Sequence, residues 1–249
     1  MTGIKEVLTD DVFPVNLIID LFKKRRPGRK KALVLEGGAM RGIFTCGVLT
    51  AFADREYFPW QVILGSSAGA INGAAYAAGQ IHLSRDAYFT ELLSGNFISL
   101  RNILRPKKHI LDLDWMLKDI VLGEEPLNVR RLRRSCPVII TATHVPENEP
   151  PRTIYLDSKR DNVLTSLKAT AALPFLYRGF VEYDDYNLLD GGILDPLPYK
   201  KALEMGFKES EILVVLTRQK GYRKKEESFW IKTLYELYYR KPDFRYLVD

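Results

Sequence analysis

Three short segments of this 249-residue chain carry residue types suited to covalent chemistry. Gly65-Ser66-Ser67-Ala68-Gly69 fits G-x-S-x-G with Ser67 at its centre, between the apolar run Gln61 to Leu64 and an alanine-rich stretch ending near Gly79. A serine on such a strand-to-helix turn sits in a strained backbone position, with its hydroxyl projecting from the top of a sheet. The flanking glycines are needed because strand and helix come too close there for side chains. N–H groups at the start of the next helix favour the negative charge that develops when the hydroxyl attacks an acyl carbon.

The second segment, Gly37-Gly38-Ala39-Met40-Arg41-Gly42, directly follows the apolar run Lys31 to Glu36. Successive N–H groups at such a turn make a concavity for an anion, either a phosphate or the oxyanion of an acyl-transfer intermediate. As a dinucleotide fingerprint it has Ala39 where the central glycine should admit a pyrophosphate, and no Gly-Lys-Ser or Gly-Lys-Thr follows to make a Walker loop. The third segment is Leu188-Leu189-Asp190-Gly191-Gly192, an apolar run ending in an aspartate on a crowded turn. Taken alone, Asp-Gly-Gly is also an ordinary turn.

A serine nucleophile needs a base, and the usual hydrolase order places a histidine after the acid. The histidines are His82, His109 and His144, and none follows His144. His144 ends the strand-like run Pro137 to Thr143 and is the triad candidate, with Asp112 and Asp114 between it and Ser67. Otherwise the base lies elsewhere.

These residues need elements to hold them. Lys31 to Glu36 and Gln61 to Leu64 read as short buried strands, each entering a glycine turn and then a helix. Ser84 to Leu122 reads as helical pieces broken around Arg105-Pro106 and Gly123. Pro137 to Thr143 is a strand that pairs with Thr153 to Leu156, and Asp161 is the expected cap of a helix running through Ala172. Phe180 to Tyr183 and Asn187 to Leu189 flank Asp184-Asp185 as a hairpin, and Glu211 to Thr217 is a last buried strand. Alternating strands and helices predict an α/β fold of three layers, α/β/α, with a mostly parallel sheet and ligands at the carboxyl ends of its strands.

Composition narrows the classes. Hydrophobic residues make up 46% and charged residues 27%, which excludes a disordered or fibrous chain. The apolar run Val12 to Ile19 is too short to span a bilayer, and the basic residues Lys23 to Arg26 follow it rather than precede it, unlike a signal peptide. A cytoplasmic protein, at most peripheral to a membrane, is expected. Residues 1–30 read as an amphipathic, basic lead-in to a single domain over 31–249. Cys46 and Cys136 support neither a disulfide framework nor a metal site, so no metal is expected. The net charge of +6 concentrates at Lys23 to Lys31, Arg101 to Lys108, Arg130 to Arg134 and Arg218 to Lys225, which suits an anionic surface or simply solvated loops. Val12 to Phe22 and the stretch holding Phe229, Trp230, Leu234, Leu237 and Tyr238 read either as amphipathic helices for a lipid surface or as core helices.

Taken together, VLEGGAMRGIFTCGVL, ILGSSAGAINGAAYAAG, LKATAALPFLY and LLDGGILDPLP, in this order from about Ala32 to Pro198, resemble the patatin-like phospholipase family. The resemblance implies an α/β/α fold and a Ser-Asp dyad without histidine, with Ser67 as nucleophile and Asp190 as base. It implies oxyanion N–H groups from Gly37, Gly38 and Ala39, with Arg41 and Gly42 in the substrate-binding turn and Gly65, Gly69, Gly191 and Gly192 as motif glycines. Ala39 departs from the family's more usual third glycine but keeps a backbone N–H. The implied activity is lipid acyl hydrolysis through an acyl-enzyme, with no cofactor. The implied partners are a lipid substrate and peripheral contact with an anionic membrane surface, without nucleic acid. A His144-dependent esterase and a non-catalytic lipid or nucleotide binder remain the alternatives.

Overall fold

In the computed structural model the described residues are 30–91, 109–114, 125–147, 149–219 and 221–222. The lead-in over 1–29, the breaks at Arg105-Pro106 and Gly123, and the stretch from Phe229 to Tyr238 lie outside them. The chain divides into Met1–Lys30 and Lys31–Asp249, and the elements below belong to the second unit.

Strand β1 (Ala32–Leu35) is buried along its whole length, as a continuous apolar run flanked on both edges should be. It pairs in parallel with β2 (Val62–Ser66) on one side, and on the other with the last described strand, which covers Ile212–Val215. β2 in turn pairs in parallel with β3 (Val138–His144). Beyond this the sheet turns antiparallel: β4 (Arg152–Asp157) runs back along β3, and the hairpin of β5 (Val181–Tyr183) and β6 (Tyr186–Asp190) joins through β6. The strand at Ile212–Val215 is β7. The seven-stranded sheet is therefore mixed, with β7, β1, β2 and β3 forming its parallel part and antiparallel pairings added at β4 and β6. The reason is chain length between strands, because a parallel return needs a crossover of a dozen or more residues, whereas β3 to β4 and β5 to β6 are joined by short links.

Alternation along the strands separates two helical layers. Ala32, Val34, Val62 and Leu64 share a core with Ala202 of helix Tyr199–Glu204 on one face. On the other face, Leu35 and Ile63 meet the helix α2 (Ala68–Ala77) at Gly73, where a Cβ would stand 3.0 Å from Ile63 Cγ2 and 3.1 Å from Leu35 Cδ1. The helix α1 (Gly42–Ala53) packs on α2. The short helix α3 (Ile81–Asp86) leads into a π-turn over Ala87–Glu91. Helix α4 spans Val129–Arg134 and α5 spans Val163–Thr170; Tyr199–Glu204 is α6. The cap of α5 is Asn162 rather than Asp161: the Asn162 side chain accepts from Thr165 N, while the Asp161 carboxylate accepts from Asp157 N and the Tyr183 hydroxyl.

One detail of β3 positions the site. β4 occupies one edge of β3 from Ile139 to His144. The other edge is shared, with Ser66 of β2 opposite Thr141 and Asp190 of β6 opposite Ala142. β2 and the antiparallel β6 thus meet end to end.

Candidate active site

Ser67 follows the end of β2 and caps α2 with φ 50° and ψ −127°, a left-handed conformation unfavourable for a residue with a Cβ. Three contacts hold it there. Its N–H donates to Thr170 Oγ1 at 2.8 Å, and its carbonyl accepts from Ala70 N and Ile71 N in the first turn of α2. The turn is tight enough that a Cβ on Gly69 would lie 2.6 Å from the Leu35 carbonyl oxygen, so glycine is required at that position.

The Ser67 hydroxyl donates to Asp190 Oδ2 at 2.8 Å, and Gly192 N–H donates to Oδ1 at 2.6 Å. The Asp190 backbone is fixed as well, its N–H on the Ala172 carbonyl at 3.0 Å and its carbonyl accepting from Thr143 Oγ1 at 2.8 Å. Gly191 crosses so close to β3 that a Cβ would stand 2.2 Å from the Thr141 carbonyl oxygen. Asp190 is 1% exposed, and burial pushes its carboxyl up to about 7 against the lowering effect of the hydrogen bonds from Ser67 and Gly192. A buried carboxylate of this basicity, already hydrogen-bonded to a strained serine, is equipped to take a proton near neutral pH.

The glycine turn lies beside Ser67: a Cβ on Gly37 would be 3.4 Å from Ser67 Cβ. The resemblance assigned donors here that the structure redistributes. Gly37 N–H is bonded to the Pro196 carbonyl at 2.9 Å, Arg41 N–H to the Gly38 carbonyl at 2.9 Å and Gly42 N–H to the Ala39 carbonyl. The Gly37 N–H is thus already bonded within the fold. The N–H groups of Gly38 and of Ala39, the latter at φ 48°, have no hydrogen bond among the described residues and are available to an anion. Gly42 serves packing instead, its carbonyl accepting from Asn72 Nδ2 at 2.9 Å. Arg41 is exposed and makes no ion pair among the described residues.

Sequence reasoning missed several supports. The Glu36 carboxylate accepts from Thr217 N at 2.5 Å and Thr217 Oγ1 at 3.0 Å, with Arg218 Nε at 3.7 Å, and the Thr217 side chain packs against Gly38. Thr170 and Pro196 lie within the segments LKATAALPFLY and LLDGGILDPLP but had no role assigned, and each contacts its partner across most of the motif-bearing chain. His144 is buried, its Nδ1 lies 3.3 Å from the Asn187 carbonyl and its ring meets Tyr186 edge-on. His109 Nδ1 accepts from Arg178 N, and His82 lies 3.0 Å from Glu125. Among the described residues there is no cluster of metal-ligating side chains, and no helix is long and apolar enough to cross a membrane.

Comparison with known proteins adds to this geometry. The sequence model of the family described as patatin-like phospholipase matches residues 33–203. The uncharacterized protein YjjU of Escherichia coli is 32% identical over 200 residues, covering 79% of this chain and 55% of that protein. The probable lipid hydrolase 463L of Invertebrate iridescent virus 6 is 23% identical over 228 residues, covering 83% of this chain and 76% of that protein. Among solved structures, VipD from Legionella pneumophila shares the fold, with TM-score 0.50 and 19% identity over 75% of this chain and 49% of that one. The chain thus spans about half the length of YjjU and of VipD.

Proposed function

The chain belongs to the patatin-like phospholipase family, and on that premise we propose that it is a lipid acyl hydrolase working through a Ser67–Asp190 dyad. The observation that carries the proposal is the 2.8 Å hydrogen bond from Ser67 Oγ to Asp190 Oδ2, with the N–H groups of Gly38 and Ala39 unbonded among the described residues.

Ser67 Oγ attacks the ester carbonyl carbon as its proton passes to Asp190. The carbonyl oxygen, now negative, is held by Gly38 and Ala39 N–H, each donor contributing on the order of 3 kcal/mol. Collapse of the tetrahedral species breaks the bond to the alcohol oxygen, which takes the proton back from Asp190 and leaves an acyl-Ser67. Water then attacks the acyl carbon with its proton going to Asp190. Ser67 departs with that proton and the fatty acid is released. A carboxylate can serve here because burial raises its basicity toward that of imidazole.

Labelling with a fluorophosphonate probe and mapping the adduct by mass spectrometry tests the proposal. Modification of Ser67 with loss of ester hydrolysis is expected. An unlabelled Ser67 in folded protein would favour the non-catalytic binder, and labelling that depends on His144 would favour the triad esterase.

A further inference from the structure

α2 carries Ser67 at its start, and its other end opens on a cleft of about 420 Å³, a volume suited to a small molecule. Ten residues at about 1.5 Å each put that end roughly 15 Å along the helix from Ser67. The cleft is therefore separate from the dyad. Its apolar lining includes Tyr76 and Ala78, both buried, and Phe58, which is 41% exposed with its ring 5.1 Å from that of Tyr76. Its polar lining includes two arginines of α4, Arg131 and Arg134.

A helix places residues three apart on one face, so Arg131 and Arg134 reach the cleft together. Arg130 does not line it, and Arg133 donates elsewhere, to the Asp161 carbonyl at 3.2 Å. Arg131 closes over the end of α2, where a Cβ on Gly79 would stand 2.7 Å from its Nη2. Neither the Arg131 nor the Arg134 guanidinium has an ion pair or hydrogen bond among the described residues. The ends of α2 at Ala78 and of α4 at Ser135 both line the cleft, and each helix end carries about half a negative charge. Two guanidiniums outweigh them, leaving roughly one net positive charge beside apolar rings. We infer that the cleft binds an anionic amphiphile, its apolar body against Phe58 and Tyr76 and its carboxylate or phosphate held by Arg131 and Arg134. A guanidinium fork matches either head group with paired N–H bonds, and the rings remove the apolar body from water. The site stands whether or not the chain hydrolyses esters.

Isothermal titration of the full chain with decanoate and with decyl phosphate, each below its micelle concentration, tests the site and tells a carboxylate head from a phosphate. Saturable binding of one molecule per chain is expected for at least one of the two, with inorganic phosphate and decyltrimethylammonium at least tenfold weaker. Arg134→Gln and Phe58→Ser should each weaken binding at least tenfold, and Arg134→Lys, which keeps the charge, should recover part of the loss. Arg130→Gln makes the same change of charge outside the cleft and should leave binding within about twofold. Phe58, Arg130 and Arg134 are exposed, and a thermal melt of each variant checks its fold. Equal weakening by Arg130→Gln would reduce the effect to net charge and overturn the proposal. Binding indifferent to Arg134 and Phe58 would place the anion elsewhere, the Ser67 turn included, and overturns it too. So does the failure of both amphiphiles to bind.

Discussion

Gly37 and Pro196 are joined by an N–H···O bond of 2.9 Å. Pro196 belongs to the strand-end segment that begins with Asp190, so the piece of chain that supplies the carboxylate also braces the glycine turn. Within that segment Asp195 N–H closes onto the Gly191 carbonyl at 2.9 Å, and the Asp195 carboxylate accepts from the Tyr155 hydroxyl of β4 at 2.9 Å. The Asp190 carboxylate and the glycine turn are held as one unit, and this shapes what mutations should do.

Ser67→Ala and Asp190→Asn should each reduce ester hydrolysis by at least about a thousandfold, and the double variant should be no worse than either, because the two side chains act in one step. Turnover of a water-soluble ester by the three proteins measures this. An Asp190→Asn protein with more than a few per cent of normal activity would remove aspartate from the base role.

The elevated Asp190 carboxyl sets a pH signature for catalysis. With its deprotonated form as the base of the proposed dyad, kcat/KM should rise with a single limb centred near pH 7 and stay level above it. A second limb in the same range would indicate imidazole.

The same group has a consequence for stability, with opposite sign to the usual ion-paired carboxylate. The folded protein holds its proton up to about pH 7 while the unfolded chain releases it near pH 4, so stability falls as pH rises between the two. Asp190→Asn, of similar shape, should therefore raise the stability at pH 8 by on the order of a few kcal/mol, read as a higher melting temperature, and the gain should vanish toward pH 4. Melting curves of both proteins across pH decide it, and a gain that persisted at pH 4 would point to packing rather than ionisation.

His144→Gln should leave activity within about tenfold, since the His144 ring is committed to the Asn187 carbonyl and Tyr186. A folded His144→Gln protein as inactive as Ser67→Ala would overturn the dyad.

Thr170→Val removes the acceptor for Ser67 N–H, leaving a buried donor unmet at a strained residue. A stability loss of about 1–3 kcal/mol is expected, with a fall in kcat that exceeds any change in KM. Denaturant unfolding and steady-state kinetics on the same preparation check both.

What could be read from the sequence divides along chain distance. Ser67, Asp190 and the glycine turn were legible because each sits in a contiguous motif whose residue types are dictated by a local close approach, as at Gly69 and Gly191. The supports were not. Thr170 on Ser67, Pro196 on Gly37 and Thr217 on Glu36 are ordinary residues whose roles exist only once distant strands are side by side. The same limit explains the donors: Gly37 looks like an anion ligand in one dimension, and only the fold supplies the carbonyl that occupies it. Strand positions followed from apolar runs and the β5–β6 hairpin from its Asp184-Asp185 turn, but the antiparallel pairing of β6 on β3 did not, since it joins segments far apart in the chain. At the start of α5, Asp161 and Asn162 are equally able caps by type, and the Tyr183 hydroxyl claims the former.

The end-to-end meeting of β2 and β6 along β3 has a kinetic meaning. Ser67 rides on the parallel half of the sheet, whereas Asp190 arrives with the β5–β6 hairpin, which among the described residues pairs outside itself with the far end of β3 alone. A chain that has assembled the parallel half but not yet seated that hairpin already displays its serine and has no base to activate it. Recovery of hydrolysis during refolding should therefore trail the recovery of secondary structure. Partly folded molecules, exposed to every ester in their surroundings, stay chemically silent until the last pairing forms.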